Sequence, residues 1–518
     1  MAHRFKSLLL TAYLLITAAS IASLTARAQS QPEILTPPAP PTPHINGPKL
    51  YGARPGHAFL YRIPCTGTRP IHFSAIGLPA SLKLDAATGI ISGKTPSAPG
   101  DYPVTLKAAN ALGATARPFK IVAGDTLGLT PQMGWNDWYT HYEHPSDSVI
   151  RKAADAMIAS GMADYGYQYV DIDDAWERKP ASPDPALAGP VRDAQGNILP
   201  NRNFPDMAAL TGYIHALGLK TGIYTSPGPV TCGKFEASYG HEDADGRQIA
   251  AWGFDLLKYD MCSYGLFIKH DAVEEYQKPY RQMGSILKSL DRDVVLNMCQ
   301  YGKGDVWRWG RAVGGTSWRT TDDVGVVAGS SLPGFYFVGF ANAALSAYAG
   351  PGGWNDPDYI LIGMVGDARH IELPAKPTNL TPDEQYSYMS MWSLMASPLF
   401  FSGDMAKLDA FTLNILCNAE VIDIDQDSLG KQATVVRKNK DELVLAKPLE
   451  DGSVAVGFFN LSEASRAIYV DLKDISRTGQ QTVHDVWQQR DVGTVTSGFG
   501  HSVPAHGVVL IRLIGVKK

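Results

Sequence analysis

The chain has few cysteines and little net charge, and these absences exclude several protein classes. It contains only five cysteines in 518 residues, and its formal net charge is −5. Five cysteines are too few for a disulfide scaffold, and because the count is odd, at least one thiol stays unpaired or pairs between chains. The small negative charge gives no basic surface for nucleic acid or for an anionic membrane. Beyond Leu24, no segment is long and apolar enough to span a bilayer.

Several catalytic motifs are also missing. The sequence has no Gly-x-Ser-x-Gly elbow, no His-Glu-x-x-His helix and no glycine-rich phosphate loop. An acidic run begins at Asp423, but a calcium loop would need Gly at its sixth position and Glu at its twelfth, where Ser428 and Thr434 stand. We therefore expect no metal and no other cofactor.

The N-terminus reads as an export signal. Basic residues precede an apolar run from Leu8 to about Leu24, and Ala26-Arg27-Ala28 gives a small-x-small cleavage site. Residues 1–28 are predicted to be a cleaved signal peptide, which favours a secreted or periplasmic protein without a membrane span after cleavage. An uncleaved anchor is the alternative, because the apolar run is rather long.

The rest of the chain divides by pattern into four parts. Residues 29–44 are rich in proline and are predicted to be an extended linker. Short alternating segments separated by turns predict an immunoglobulin-like (Ig-like) β-sandwich over residues 45–124. Strands then alternate with helical patterns over residues 127–432, which predicts a parallel α/β fold, the (β/α)8 TIM barrel. Residues 435–518 return to alternating strands and are predicted to form a C-terminal antiparallel β-sandwich.

Polar residues concentrate at the predicted carboxyl ends of the barrel strands, where barrels of this kind build their sites. In chain order these residues are Trp135, Asp173, Asp174, Tyr224, Lys258, Asp260, Gln300, Arg319, Asp322 and Asp323. Carboxylates, cations and aromatic rings in one pocket suit a neutral sugar, whose hydroxyls need donors and acceptors and whose C–H faces need an aromatic wall.

The segment Leu256 to Cys262 is the most informative single stretch. Alternate residues of a strand share a face, so Lys258 and Asp260 are predicted to emerge together from a buried strand. A neighbouring ammonium lowers the pKa of a carboxyl group, and we expect Asp260 to stay ionised, as a nucleophile requires. Hydrolysis of a glycosidic bond takes a second carboxyl group, for which Asp322 and Asp323 are the candidates.

Six motifs in chain order resemble glycoside hydrolase family 27, the α-galactosidase family. They are Met133-Gly-Trp-Asn-Asp-Trp138, Tyr169-Val-Asp-Ile-Asp-Asp-Ala-Trp176, Gly222-Ile-Tyr224, Leu257-Lys-Tyr-Asp-Met-Cys262, Trp318-Arg-Thr-Thr321 and Gly353-Trp-Asn-Asp-Pro-Asp358. The resemblance covers roughly residues 127–432 and continues into the C-terminal part. The segment 77–93 also resembles a bacterial Ig-like module, which most often acts as a spacer or packing domain.

The resemblance implies a retaining double displacement. Asp260 matches the nucleophile, and Asp323, four residues after Arg319, matches the acid/base. The implied sugar contacts are Asp173 and Asp174 at O4 and O6, Lys258 at O3 and O4, Arg319 at O2, and Trp135 and Tyr224 as walls. Cys232 and Cys262 match a disulfide of the family.

One departure bears on the sugar. Many relatives have Cys-Glu-Trp where this chain has Cys299-Gln300-Tyr301, at a position that contacts the O2 region. Gln300 still offers a donor and an acceptor, so galactose remains the expected sugar. The expected function is an exported exo-α-galactosidase acting on oligosaccharides or polysaccharides with terminal α-galactose. The alternatives with the same fold are an α-N-acetylgalactosaminidase, a β-L-arabinopyranosidase and an isomaltose-releasing α-glucanase. A non-catalytic carbohydrate-binding protein is the alternative from another class.

Overall fold

The computed structural model describes residues 32–325, 331–365 and 375–516. The predicted signal peptide lies outside these residues. Two compact units, Met1–Ile34 and Leu35–Lys518, divide the chain. Of the first unit only residues 32–34 are described, and they form neither helix nor strand. Within the described ranges, no helix combines the length and the apolar character that crossing a membrane would require.

A parallel eight-stranded sheet forms the centre of the second unit. Its strands neighbour one another in chain order, and the last pairs with the first. Ile360, four residues after the seventh strand, bridges to Phe401 in the eighth and closes the ring. These barrel strands 1 to 8 are Met133–Asn136, Tyr169–Asp171, Lys220–Thr225, Leu256–Asp260, Val295–Cys299, Gly315–Arg319, Trp354–Asp356 and Leu399–Phe401. The predicted (β/α)8 barrel is confirmed.

Helices follow most of these strands and pack on the outside of the ring. The helix Asp147–Ala159 begins where the Ser146 hydroxyl accepts a hydrogen bond from Val149 N, and it ends before Gly161, whose φ of +84° is left-handed. The apolar residues Ile150, Ala154, Met157 and Ile158 in the sequence predict a helix from Val149 to Met162, and the observed helix starts two residues earlier and ends three residues earlier. The other helices are Trp138–His141, Met207–Ala216, Glu242–Trp252, Val273–Ser289, Gly334–Ala343, Pro382–Leu394, Ala410–Leu416 and Ala419–Asp425.

Short 3-10 turns and one strand pair complete the loops of the barrel. The pair joins Met364–Val365 to Lys376–Pro377 in antiparallel fashion. The 3-10 turns are Met162–Tyr165, Cys262–Phe267, Val306–Arg308, Gly310–Val313 and Met405–Lys407. The turn Cys262–Phe267 begins two residues after Asp260, so it forms part of the rim at the carboxyl ends of the strands.

The N-terminal module is a β-sandwich. One sheet has four strands in the order Leu50–Ala53, Gly113–Ala123, Gly100–Asn110 and His72–Ile76, and the other has three in the order Ala58–Arg62, Ile90–Lys94 and Leu82–Leu84. A two-residue pair joins His44–Ile45 to Cys65–Thr66. Buried apolar side chains such as Phe73, Ile91 and Ile121 fill its interior.

Arg54 of this module caps a helix of the barrel. Its guanidinium donates to the carbonyls of Leu287 and Lys288 at the end of the helix Val273–Ser289, and to the carbonyl of Arg292 just beyond it. Its Nε and its backbone N–H bind the carboxylate of Asp293 at 2.7 and 2.9 Å. The last carbonyls of a helix lack the helical partner that earlier carbonyls have, and Arg54 supplies hydrogen bonds to two of them.

Residues 35–41 of the proline-rich segment predicted as a linker belong to the second unit and are hydrogen-bonded to other parts of it. The backbone and hydroxyl of Thr36 exchange hydrogen bonds with Asn414, and its hydroxyl also accepts one from Asn418. The carbonyl of Pro41 accepts from Thr68 and Asn110 of the Ig-like module. Residues 36–41 are thus held at both ends by side chains of the second unit.

The C-terminal part is an antiparallel sandwich. Its larger sheet has the order Thr434–Lys438, Glu442–Pro448, Val454–Asn460, Val508–Gly515, Gln481–Asp485 and Arg490–Val495, and its smaller one pairs Arg466–Asp471 with Gly498–Val503. A 3-10 turn spans Leu472–Ile475. Apolar side chains of the larger sheet, Leu443 and Phe459 among them, join the barrel core through the helix Pro382–Leu394. The predicted sandwich is confirmed.

Candidate active site

Asp260 ends barrel strand 4 with its carboxylate held by two phenols. Its side chain alternates with the buried Leu257 and Tyr259, so it points into the ring with Lys258. The Tyr301 hydroxyl donates to Oδ1 at 2.7 Å, and the Tyr224 hydroxyl donates to Oδ2 at 3.0 Å. Only 5% of Asp260 is exposed. The two donors fix the plane of a carboxylate that little water reaches.

Lys258 points into the ring with Asp260, but its ion pair is with another carboxylate. Its ammonium lies 2.7 Å from Oδ2 of Asp173, which lies two residues beyond the end of barrel strand 2. The same oxygen accepts from Asn136 at 2.8 Å and from the Tyr359 hydroxyl at 3.1 Å. Burial disfavours the charge on Lys258, but Asp173 more than compensates, so the pKa of the ammonium lies well above its usual range.

From the neighbouring ammonium the sequence predicts a lowered pKa for Asp260, and this direction is wrong. Burial raises the pKa of Asp260 to about 6, and the nearby Asp323 and Asp173 act in the same direction. Lys258 and the Tyr301 hydrogen bond lower it without offsetting the loss of solvent. The carboxylate is therefore ionised above about pH 6 and is more basic than an exposed aspartate.

Arg319, at the end of barrel strand 6, forms ion pairs with two carboxylates. Its Nη1 lies 3.1 Å from Oδ1 of Asp323, and its Nη2 lies 3.2 Å from Oδ2 of Asp358. The side chain of Asp358 is buried, whereas that of Asp323 is 36% exposed. Asp322 is exposed and has no such pairing in the described part of the chain. Of the two adjacent candidates, Asp323 is the one next to Arg319 and close enough to Asp260 to raise its pKa.

Asp174 follows Asp173 and is anchored by backbone groups. Its Oδ1 accepts from Ala175 N and its Oδ2 from Gly233 N, each at 2.7 Å. Burial raises its pKa to about 7, although the Gly233 hydrogen bond acts in the opposite direction. Each carboxylate oxygen can accept a further hydrogen bond, so the group keeps capacity for a ligand hydroxyl.

The remaining predicted contacts are all buried. Trp135 has no exposed surface and donates its indole N–H to the carbonyl of Gly403 at 2.8 Å, so its contact with a sugar stays a prediction. Tyr224 is buried and oriented by Asp260. Gln300 is fully buried, and neither Nε2 nor Oε1 has a hydrogen-bond partner among the described residues. An amide left unpaired in a buried place is costly unless a ligand or water completes it.

Cys232 and Cys262 form a disulfide that ties the loop after barrel strand 3 to the one after strand 4. Sγ of Cys232 lies 3.7 Å from Oδ2 of Asp260, and Sγ of Cys262 lies 3.0 Å from the Tyr224 hydroxyl. The two sulfurs and Asp260 are close enough together to suggest a metal site, but a disulfide offers no thiolate to a metal. The bridge therefore acts as a wall beside Asp260.

Four residues that meet these groups were missed in the sequence. Tyr301 binds Asp260, Asn136 and Tyr359 bind Asp173, and Asp358 binds Arg319. Asn136 and Asp358 stand inside the quoted motifs, and Tyr359 follows one directly. The expectation that side chains at the carboxyl ends of the barrel strands form the site could have identified these three residues. The sequence signal for Tyr301 was only that it stands where many relatives have the Trp of Cys-Glu-Trp.

Three family models match the chain. Residues 130–427 match the model described as Alpha galactosidase A, residues 440–513 match the Alpha galactosidase C-terminal beta sandwich domain, and residues 42–123 match an Ig domain model. The first alone covers more than half of the 518 residues.

Individual proteins are similar over the same range. The α-galactosidase of Cyamopsis tetragonoloba is 34% identical over 410 residues, which are 77% of this chain and 91% of that protein. The crystal structure of a candidate α-galactosidase/melibiase from Bacteroides fragilis is 35% identical, with a TM-score of 0.84 over 91% of this chain and 98% of that one. The α-galactosidase of Saccharomyces cerevisiae, solved with raffinose, is 25% identical, with a TM-score of 0.66 over 75% of this chain and 98% of that one.

Proposed function

The chain belongs to glycoside hydrolase family 27, the α-galactosidases, and from that membership we propose an exported, retaining exo-enzyme that removes terminal α-galactosyl groups by double displacement. One observation carries this proposal. The buried carboxylate of Asp260, at the end of barrel strand 4, is fixed by two phenols. It also lies close enough to feel the charge of Asp323, a partly exposed carboxylate in the loop after strand 6.

Asp260 is the proposed nucleophile. Ionised and poorly solvated, it attacks the anomeric carbon and forms a covalent glycosyl-enzyme, while the bond from that carbon to the leaving oxygen breaks. The raised pKa supports this role, because a more basic carboxylate is a stronger nucleophile at pH values above its pKa.

Asp323 is the proposed acid/base. It protonates the leaving oxygen in the first step and accepts a proton from water in the second. Its partial exposure supports this role, because a proton donor to a leaving group must face the side where that group departs. Arg319 supports it as well, since it orients Asp323 while Asp358 holds its other nitrogen.

The polar groups around Asp260 are the proposed binding site of the galactosyl ring. Lys258 and Asp173 form a buried pair that can accept from and donate to vicinal hydroxyls, with Asp174 beside them. Arg319 and the unpaired amide of Gln300 are proposed at O2, and Trp135 and Tyr224 as walls. Burial of these groups supports specificity, because a substrate lacking a matching hydroxyl leaves them unpaired.

The proposed substrates are oligosaccharides or polysaccharides with terminal α-galactose. The yeast relative solved with raffinose supports the oligosaccharide class. The basic, apolar and small-residue pattern of residues 1–28 supports export to the periplasm or the medium.

We expect turnover of nitrophenyl α-galactoside and at least about 100-fold lower kcat/KM, or about 2.7 kcal/mol, on α-N-acetylgalactosaminide, β-L-arabinopyranoside and α-glucoside. Initial rates of the purified mature protein measure this. Proton NMR of the first product should show α-galactose, because two displacements retain configuration. β-Galactose would contradict the retaining mechanism, and preference for another glycoside would contradict the sugar.

The acidic limb of kcat/KM is expected near pH 6. Burial raises the pKa of Asp260 to about 6, so the protonated, inactive carboxylic acid accumulates below that value and the nucleophile is present above it. Activity should fall about tenfold for each pH unit well below the pKa. A profile of kcat/KM against pH for nitrophenyl α-galactoside checks this. Full activity at pH 4.5 would contradict the raised pKa.

A further inference from the structure

Tyr301 donates the shorter of the two hydrogen bonds to Asp260. Its hydroxyl lies 2.7 Å from Oδ1, whereas Tyr224 reaches Oδ2 at 3.0 Å. The two phenols come from different strands, strand 3 for Tyr224 and the turn after strand 5 for Tyr301. Each oxygen of the carboxylate therefore has its own neutral donor.

The backbone of Tyr301 is held in a conformation that an aromatic residue rarely takes. Its φ is +64°, in the left-handed region. The next residue, Gly302, donates its N–H to the carbonyl of Arg319 at 3.1 Å, and a Cβ on that glycine would lie 2.3 Å from the carbonyl of Thr320. Such strain persists where the surroundings impose it, and it clusters at functional sites. The turn is thus built to bring this hydroxyl to Asp260.

We infer that Tyr301 is a catalytic residue that promotes the second displacement, the release of the galactosyl group from Asp260. This inference rests on the proposed function of the site. In that step water attacks the anomeric carbon, its proton passes to Asp323, the bond from the carbon to the Asp260 oxygen breaks, and the electron pair returns to the carboxylate.

A donor on a carboxylate stabilises its charge, which weakens it as a nucleophile and improves it as a leaving group. In the glycosyl-enzyme one oxygen is bonded to carbon and the other is a carbonyl, so one phenol faces each. The Tyr301 bond strengthens as negative charge returns to Asp260, and it therefore stabilises the transition state of the second step more than the intermediate.

The other groups around Asp260 do not replace this donor. Lys258, Asp173 and Asp323 act on it through charge, Tyr224 bonds the other oxygen, and Tyr280 and Cys299 are buried groups whose own pKa values are raised. The Lys258 ammonium itself is bound to Asp173. Among the described residues, Tyr301 is the one whose hydroxyl bonds Oδ1.

Tyr301→Phe separates the two steps. With 2,4-dinitrophenyl α-galactoside, whose leaving group departs readily, we expect kcat to fall about 10- to 100-fold, the range of a hydrogen bond to a charged group. KM should fall in parallel, so that kcat/KM changes less than about threefold. A pre-steady-state burst of phenol should appear as the glycosyl-enzyme accumulates. The acidic limb of kcat/KM should move to higher pH, because a lost donor leaves the carboxylate more basic.

Tyr239→Phe is the matched control, since Tyr239 lies exposed in the loop after barrel strand 3 and stacks on Phe267 rather than contacting Asp260. It should change none of these values. Should Tyr301→Phe not yield folded protein, Tyr301→Leu also removes the hydroxyl while keeping apolar bulk and adding no donor, and the same split between kcat and kcat/KM is expected. Equal losses of kcat and kcat/KM without a burst, or no change at all, would overturn the inference while the wild-type enzyme remained active. A wild-type protein inactive on every galactoside would overturn the proposed function together with it.

Discussion

Asp260→Asn is expected to lower kcat on nitrophenyl α-galactoside by about 10^4-fold or more, equivalent to about 5.5 kcal/mol of transition-state stabilisation. The amide has nearly the same shape as the carboxylate and cannot supply an electron pair to the anomeric carbon. One of the two phenols, Tyr224 or Tyr301, can still donate to the amide oxygen, and the other can accept a hydrogen bond from the amide NH2. The fold and the affinity for galactose should therefore change little.

Rates, thermal unfolding and galactose binding by calorimetry measure these three effects. Chemical rescue identifies the residue further. Asp260→Gly leaves space at the end of barrel strand 4, and azide entering there should restore part of the rate and yield β-galactosyl azide by a single displacement. Retained activity in Asp260→Asn would exclude this residue as the nucleophile.

Asp323→Asn is expected to produce the second largest effect, and its size should depend on the leaving group. A general acid contributes about 10^2- to 10^4-fold when the leaving oxygen needs a proton. For raffinose-type substrates we expect kcat/KM to fall by that amount. For 2,4-dinitrophenyl α-galactoside, whose leaving group departs without a proton, kcat/KM should fall less than about tenfold.

Asp322→Asn provides the matched control, because it removes the neighbouring carboxylate, which is exposed, and leaves the Arg319 pairing intact. It should stay within about twofold of wild type on both substrates. Azide added to Asp323→Ala should give α-galactosyl azide, since the nucleophile remains. If Asp322→Asn showed the leaving-group dependence and Asp323→Asn did not, the assignment of the acid/base would be reversed.

The fold was predictable because its signals are local and repeat along the chain. Eight strand ends separated by helical patterns indicate a closed parallel sheet, and the alternation at Lys258 and Asp260 correctly puts both side chains inside it. The partner of Lys258 was not predictable in the same way. Asp173 is 85 residues away in the chain, and only the curvature of the ring brings it to the ammonium.

The balance of forces at Asp260 also needed the structure. The sequence shows the lysine two residues away, which lowers the pKa, but not the loss of solvent, which raises it more. Tyr301 reaches the site through a left-handed backbone angle that no pattern of residue types reports. Gln300 was noticed for its residue type, and only its burial shows that its amide lacks a partner among the described residues.

Arg54 has a consequence for the cooperativity of folding. The helix Val273–Ser289, which follows the loop of the proposed nucleophile, receives its C-terminal cap from the N-terminal module. Unfolding that module leaves three carbonyls and the carboxylate of Asp293 without this partner, and unpaired polar groups destabilise what they belong to. The predicted boundary near residue 125 thus separates two modules of sequence, while the free energies of unfolding of the two are linked, with the Arg54 guanidinium as one of the groups that link them.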